Sequence, residues 1–266
     1  MSRVSSAFQR CASEGRAALI CYLTAGYPDV ESSIEHIIAA EKGGADVLEI
    51  GVPFSDPVAD GPVIQRTSQI ALEKGMTPKG ALALAATVRS RSEIPMVLMG
   101  YYNPIFRMGD EAFVQQAAAA GVDGLIVADM PYEESKDLRR ICIEHDLDLI
   151  QLVGPTTDGG RMRIIAAASS GYLYLVSSLG TTGARGDLPT ELPDLIRRAK
   201  KAADALPVAV GFGVSKRAHA SQIVAAGADG VIVGSALLGR ISSGGSPEGT
   251  AEFVSDLRRG CPRSRP

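Results

Sequence analysis

A chain of 266 residues with 45% hydrophobic and 21% charged side chains has the composition of a globular protein, long enough to bury a substantial core. Its formal charge of -3 and pI near 5.7 argue against a general nucleic-acid or acidic-membrane binder. No run approaches about 18 apolar residues, the N-terminus lacks a secretory pattern, and four separated cysteines without a CxxC pair predict reduced thiols in a cytoplasmic protein.

Residues 4–14 carry Val4, Ala7, Phe8 and Cys11 at helical spacing, which predicts a short amphipathic helix plugging one end of the core. Apolar runs of strand type then follow at 19–23, 47–50, 96–99, 124–127, 148–152, 172–176, 207–211 and 230–233. Between them lie helical patterns at 30–42, 62–74 with 78–90, 110–119, 133–145, 158–168, 189–204 and 215–226, and a last one at 249–259. Gly43, Gly121 and Gly227 read as helix ends, and Ser215 as a helix start. Strict alternation of strand and helix demands parallel strands joined by crossover helices. Eight such units predict an α/β fold of the (β/α)8 TIM-barrel type with an N-terminal cap helix, as a single domain over 1–266 with a flexible loop near 242–248 and a loose tail at 260–266. An open flavodoxin-like or Rossmann sheet is the alternative, but it leaves two or three strands over, and no GxGxxG follows the first strand.

One phrase recurs three times: Gly44-Ala45-Asp46-Val47-Leu48-Glu49-Ile50, Gly121-Val122-Asp123-Gly124-Leu125-Ile126-Val127 and Gly227-Ala228-Asp229-Gly230-Val231-Ile232-Val233. Glu49 holds the slot of Ile126 and Ile232. An acid in a strand that is apolar throughout is buried, and desolvation raises its pKa towards the range useful for proton transfer. The competing reading is a buried acid held by a structural Arg or Lys. Asp60 lies eleven residues on, in the loop after the same strand, where it could meet the substrate with Glu49 or simply cap a helix ahead of Pro62.

Barrel active sites lie at the C-terminal ends of the strands, with phosphate bound by the loops after strands 7 and 8. Those loops here are Gly211-Phe212-Gly213 and Gly234-Ser235, glycine-rich as an anion cradle requires. The loop from Ser177 to Asp187 is long and rich in small residues, which suits a lid or a plain surface loop. Tyr172 and Tyr174 differ by two and face the same way, as pocket phenols or as core tyrosines. His36, His145 and His219 fall in helical patterns and read as solvated, so no Cys/His zinc site or histidine triad is expected.

Taken together, Leu23-Thr24-Ala25-Gly26, Glu49-Ile50-Gly51-Val52-Pro53-Phe54-Ser55-Asp56-Pro57, Ala59-Asp60-Gly61-Pro62-Val63-Ile64-Gln65, Tyr101 with Asn103-Pro104, Asp129 with Pro131, Gly183-Ala184-Arg185 and Gly211-Phe212-Gly213-Val214-Ser215 closely resemble the tryptophan synthase alpha chain family. Tyr27, where many members carry Asp, Tyr22, and Thr181 before Thr182 are mild departures. The resemblance implies retro-aldol cleavage of indole-3-glycerol phosphate to indole and glyceraldehyde 3-phosphate. It implies Glu49 as the acid/base at indole C3 and the side-chain hydroxyl, and Asp60 as partner of the indole N–H. Tyr174 would flank the reacting centre, Phe212, Tyr22, Met99 and Ile126 would wall the ring, and Thr182 and Gly183 would close the lid. Gly183, Gly213, Gly234 and Ser235 would hold the phosphate. No metal and no cofactor are implied in this chain; pyridoxal phosphate belongs to a beta chain in an alpha2beta2 assembly, which Pro53, Phe54 and Asp56 would face. A stand-alone lyase, a non-catalytic activating subunit and a different phosphate-binding barrel are the alternatives.

Overall fold

The computed structural model describes residues 1–177, 188–211 and 213–262. Eight parallel strands, β1 (Ala18–Thr24), β2 (Val47–Gly51), β3 (Met96–Gly100), β4 (Gly124–Val127), β5 (Asp148–Val153), β6 (Leu173–Val176), β7 (Val208–Gly211) and β8 (Gly230–Val233), pair in chain order, and β8 closes on β1. Closure leaves no strand edge to protect. Each expected strand is found within one residue at either end.

Around the barrel run α1 (Arg3–Ser13), α2 (Val30–Lys42), α3 (Pro62–Glu73), α4 (Pro78–Arg89), α5 (Tyr102–Met108), α6 (Asp110–Ala119), α7 (Lys136–Glu144), α8 (Gly159–Ala168), α9 (Leu192–Ala203), α10 (Arg217–Ala225), α11 (Ser235–Ser242) and α12 (Pro247–Arg258). The starts follow local chemistry. Asp29, Thr77, Asp158 and Ser246 accept first-turn N–H groups of α2, α4, α8 and α12. The expected helix at 133–145 begins three residues later, because 131–135 form turns, and the Ser215 start moves to Arg217. Among the described helices, α5 was not expected. Pro104 hides its pattern, and its first N–H is held by Asp129 from a different loop, at 2.8 Å.

Side chains alternate between two cores. Leu48 and Ile50 join the shell between sheet and helices, whereas Val47 belongs to the barrel interior with Ile20, Val97, Ile126, Ile150, Tyr172, Tyr174 and Ile232. Helix α1 closes the floor of that interior with Val4, Ala7, Phe8 and Cys11, as its spacing predicted.

The recurring phrase has a structural meaning at the same floor. Gly44, Gly121 and Gly227 take φ of 102°, 79° and 99°, the left-handed turn that lets each helix stop and the next strand begin. The aspartate two residues on then accepts an N–H from the neighbouring strand or its lead-in: Asp46 from Leu19 at 2.9 Å, Asp123 from Met96 at 2.8 Å and Asp229 from Val208 at 2.9 Å. A cation joins each carboxylate, respectively Arg16, Arg89 and Lys200. Residues 260–262, expected in a loose tail, are docked on this floor: Cys261 is fully buried, its carbonyl accepts the Ala17 N–H at 2.9 Å, and Pro262 bridges to Arg16. The expected flexible loop near 242–248 is a tight turn, with Gly245 N–H bonded to the Arg240 carbonyl at 3.0 Å and Ser246 capping α12.

Candidate active site

Strand β2 runs from this floor to the mouth, and its inward positions are Val47 and then Glu49. Glu49 is 0% exposed. The Tyr172 phenol, from the start of β6 across the interior, donates to Glu49 Oε1 at 2.6 Å. Among the described residues Glu49 Oε2 has no partner, and no Lys or Arg forms an ion pair with this acid. Burial raises its pKa to about 7, with the phenol pulling the other way. A carboxyl with that pKa can both give and accept a proton near neutrality.

Asp60 is also buried, and it is not the helix cap: Gly61 occupies the cap position of α3 without any side-chain cap bond, and Pro62 follows it. Its backbone is pinned by an N–H bond to the Pro57 carbonyl at 3.1 Å and by Gln65 Nε2 on its own carbonyl at 2.9 Å. Burial, only partly opposed by the nearby Tyr101 phenol, raises the pKa of its carboxyl to about 6. Tyr101 organises the whole loop. Its ring stacks on Phe54 with centroids 5.2 Å apart, and its hydroxyl accepts the Ala59 N–H at 3.1 Å. This is how the loop folds back over the barrel mouth.

Register brings the wall residues together. Tyr22 pairs with Glu49 across β1 and β2, and Met99 with Ile126 across β3 and β4. Glycines make room for the two large phenols: a Cβ on Gly51 would lie 2.0 Å from the Tyr22 hydroxyl, and one on Gly211 would lie 2.3 Å from that of Tyr174. Both phenols are buried, and both feel the negative fields of Asp60 and Glu49, which add to burial in raising their pKa values. Tyr22, Tyr174, Glu49 and Asp60 therefore lie in one electrostatic neighbourhood.

Next to these residues, Gly213 takes φ of 83° after β7, and Gly234, beside Tyr22, precedes α11, which starts at Ser235 without a side-chain cap. The first-turn N–H groups of α11 are donors without helical partners. Loop glycine and helix start together have the makings of an anion cradle. Thr182, Gly183 and Phe212, expected in the lid, the cradle and the ring wall, lie outside the described residues.

Two phenols proved more engaged than the sequence suggested. Tyr172 was one of two equivalent pocket phenols and is the one bonded to Glu49, while Tyr101 was only part of a motif and is the anchor of Asp60. The two-residue spacing on β6 could signal the first; no local signal marks the second. The histidines correct an expectation. His36 is buried with Nδ1 2.9 Å from Thr250 Oγ1, and His219 is buried too, because α2 packs its face against α12 and α10 turns its start inward. Only His145 keeps appreciable exposure.

The sequence profile of the tryptophan synthase alpha chain matches residues 8–259. The tryptophan synthase alpha chain of Dehalococcoides mccartyi is 44% identical over 259 residues, covering 97% of this chain and 99% of that one. That of Chloroflexus aggregans is 48% identical over 242 residues, covering 91% and 90%. Among solved structures, Mycobacterium tuberculosis tryptophan synthase superposes with a TM-score of 0.91 at 39% identity over 99% of both chains. The Legionella pneumophila alpha chain gives 0.88 at 36% identity over 98% and 97%. No described helix is long and apolar enough to cross a membrane.

Proposed function

The chain belongs to the tryptophan synthase alpha chain family, and we propose that Glu49 and Asp60 are its catalytic pair in the cleavage of indole-3-glycerol phosphate to indole and glyceraldehyde 3-phosphate. The reaction exchanges a C–C bond for a ring C–H bond and an aldehyde C=O. Glu49, protonated, gives its proton to indole C3, which leaves a positive indolenine ring. The carboxylate so formed takes the proton of the adjacent side-chain hydroxyl as the C–C bond breaks and its electron pair returns to the ring. One residue thus supplies and recovers one proton. Asp60, with the lower pKa, stays ionised beside the indole N–H and offsets the charge of the indolenine.

The observation that carries this reading is the state of Glu49: buried, uncompensated by any described cation, titrating at about 7, with one oxygen held by Tyr172 and the other without a partner among the described residues. Tyr174 flanks the reacting centre, and Tyr22, Met99, Ile126 and Phe212 wall the ring. Gly183, Gly213, Gly234 and Ser235 take the phosphate, and Thr182 closes the lid. The steps use side chains of this chain alone; pyridoxal phosphate is the cofactor of the beta partner, which receives indole in an alpha2beta2 assembly. Of the residues expected to face that partner, Asp56 is exposed, with Val58 beside it, and Phe54 is half-buried in its stack on Tyr101, whereas Pro53 is buried. Four buried free thiols suit a cytoplasmic setting.

The test is glyceraldehyde 3-phosphate release from indole-3-glycerol phosphate by the chain alone and with a cognate beta chain plus serine. A slow rate that rises strongly with the partner is expected. Fast turnover alone would indicate an independent lyase. No turnover in either condition, together with activation of the beta chain, would leave a non-catalytic subunit.

A further inference from the structure

His219 is 1% exposed and has no part in the proton transfers above. It is the third residue of α10, whose cap position is Lys216 without a side-chain cap bond, and its ring turns back past the helix start onto the loop after β7. Nδ1 lies 3.1 Å from the Gly213 carbonyl oxygen, 3.3 Å from the Ser215 nitrogen and 3.4 Å from Ser215 Oγ. One nitrogen serves one backbone bond at a time: Nδ1–H donates to Gly213, or bare Nδ1 accepts from Ser215. Either way the ring ties the loop to α10.

That loop needs a tie. Gly211 and Gly213 flank its turn, and Gly213 is at φ of 83°, a conformation that glycine leaves as readily as it enters. Holding the Gly213 carbonyl fixes the peptide plane to Val214, and because the peptide is trans, the Val214 N–H then points away from α10. Capping alone does not call for such a residue. A Ser, Thr or Asp at position 216 would cap α10 without burying a ring. Here Nε2 is buried with no partner among the described residues, an unfavourable arrangement that the fold accepts.

We propose that His219 is a positioning residue for the substrate phosphate, holding the Gly213–Ser215 backbone in the conformation in which the cradle receives it. This rests on reading the loops after β7 and β8 as the phosphate cradle. The experiment measures KM and kcat for indole-3-glycerol phosphate and for dephosphorylated indole-3-glycerol, with Tm, in the wild type, His219→Leu and His219→Gln. Leucine keeps the bulk and removes whichever bond the ring makes. Glutamine can donate to Gly213 and accept from Ser215 together. The wild type should favour the phosphate ester. His219→Leu should raise KM for the ester about threefold to tenfold, the worth of one such bond, leave KM for the analogue unchanged, and act little on kcat. His219→Gln should restore the wild-type KM. If His219→Leu does not fold, His219→Asn, too short to reach Gly213, is read in the same way. A lowered Tm with an unchanged KM ratio would make His219 a helix cap and overturn the proposal. A wild type that does not distinguish the two substrates would instead overturn the phosphate reading, and the proposal with it.

Discussion

Asp46, just ahead of β2, and Glu49, within it, lie three residues apart, and the barrel treats them in opposite ways. At the floor, Asp46 is bonded by Arg16 at 2.8 and 2.9 Å, by Arg258 at 2.5 Å and by the Leu19 N–H at 2.9 Å. Its counterparts Asp123 and Asp229 are each held by a cation and a backbone N–H as well. At the mouth, Glu49 has one phenol. A buried carboxylate held by cations is a fixed charge, useful for locking neighbouring strands together. One left without a cation gains and loses its proton easily, because burial raises the energy of the charged form. A lysine beside Glu49 would make the site more stable and end its chemistry.

Removing each acid in turn should separate the two kinds. Glu49→Gln should lower kcat by about 10²- to 10⁴-fold with substrate binding retained, and full activity would refute the assignment. The same variant should not lose stability at neutral pH. Because the folded pKa of about 7 lies above the ordinary 4.5, the contribution of Glu49 to stability is largest below pH 4.5 and is lost as pH rises from there through 7, by on the order of 3 kcal/mol. Glutamine removes that dependence, so urea midpoints against pH should be flatter across this window in the variant. Asp46→Asn should do the reverse, costing about 3–5 kcal/mol of stability by taking the buried anion from between Arg16 and Arg258 and leaving Arg16 only the half-exposed Glu14, while kcat of the folded fraction holds. Asp60→Asn should lower kcat by roughly 10²-fold with the urea midpoint unchanged. If it unfolded the protein instead, the acid would belong with the structural group.

How far this division was legible in the sequence depends on the range of the contact. The eight strands were readable because strand type, helix stop and alternation are local, and Glu49 stood out because the chain supplies its own control in Ile126 and Ile232 at the same slot. The candidate pair was named on the sequence, but whether a cation faced Glu49 was not. Arg16 and Arg258 reach Asp46 from 30 and 212 residues away, and nothing local says that they stop at the floor. The Tyr101 bond to Ala59, beside Asp60, is the same kind of fact, made across 42 residues only when the loop folds back over the ring. His36 and His219 were misread for a related reason: which face of an outer helix is buried depends on the neighbouring helix or loop, and a single histidine does not report it. Thr182, Gly183 and Phe212 stay expectations of the resemblance, since they lie outside the described residues.

The smallest effect is expected where the two treatments meet, at Tyr172. Its ring packs on Phe8 of the floor helix with centroids 5.4 Å apart, while its hydroxyl reaches Glu49 at the mouth. The bond holds the Glu49 pKa down against burial, so Tyr172→Phe should push it above about 7 and make the ionised form scarcer at neutral pH. Glu49 is then a weaker acid, and its proton donation to indole C3 should slow by about fivefold near neutrality, the worth of one hydrogen bond. The limb of the kcat profile that reports protonated Glu49, the one that falls with rising pH, should move to higher pH, so that the variant trails the wild type less under alkaline conditions. The ring contact with Phe8 survives the substitution, which keeps packing out of the comparison. A lower rate at every pH with an unmoved limb would mean that Tyr172 fills the barrel and leaves the acid untouched; the floor and the mouth would then be independent, and Glu49 would owe its pKa to burial alone.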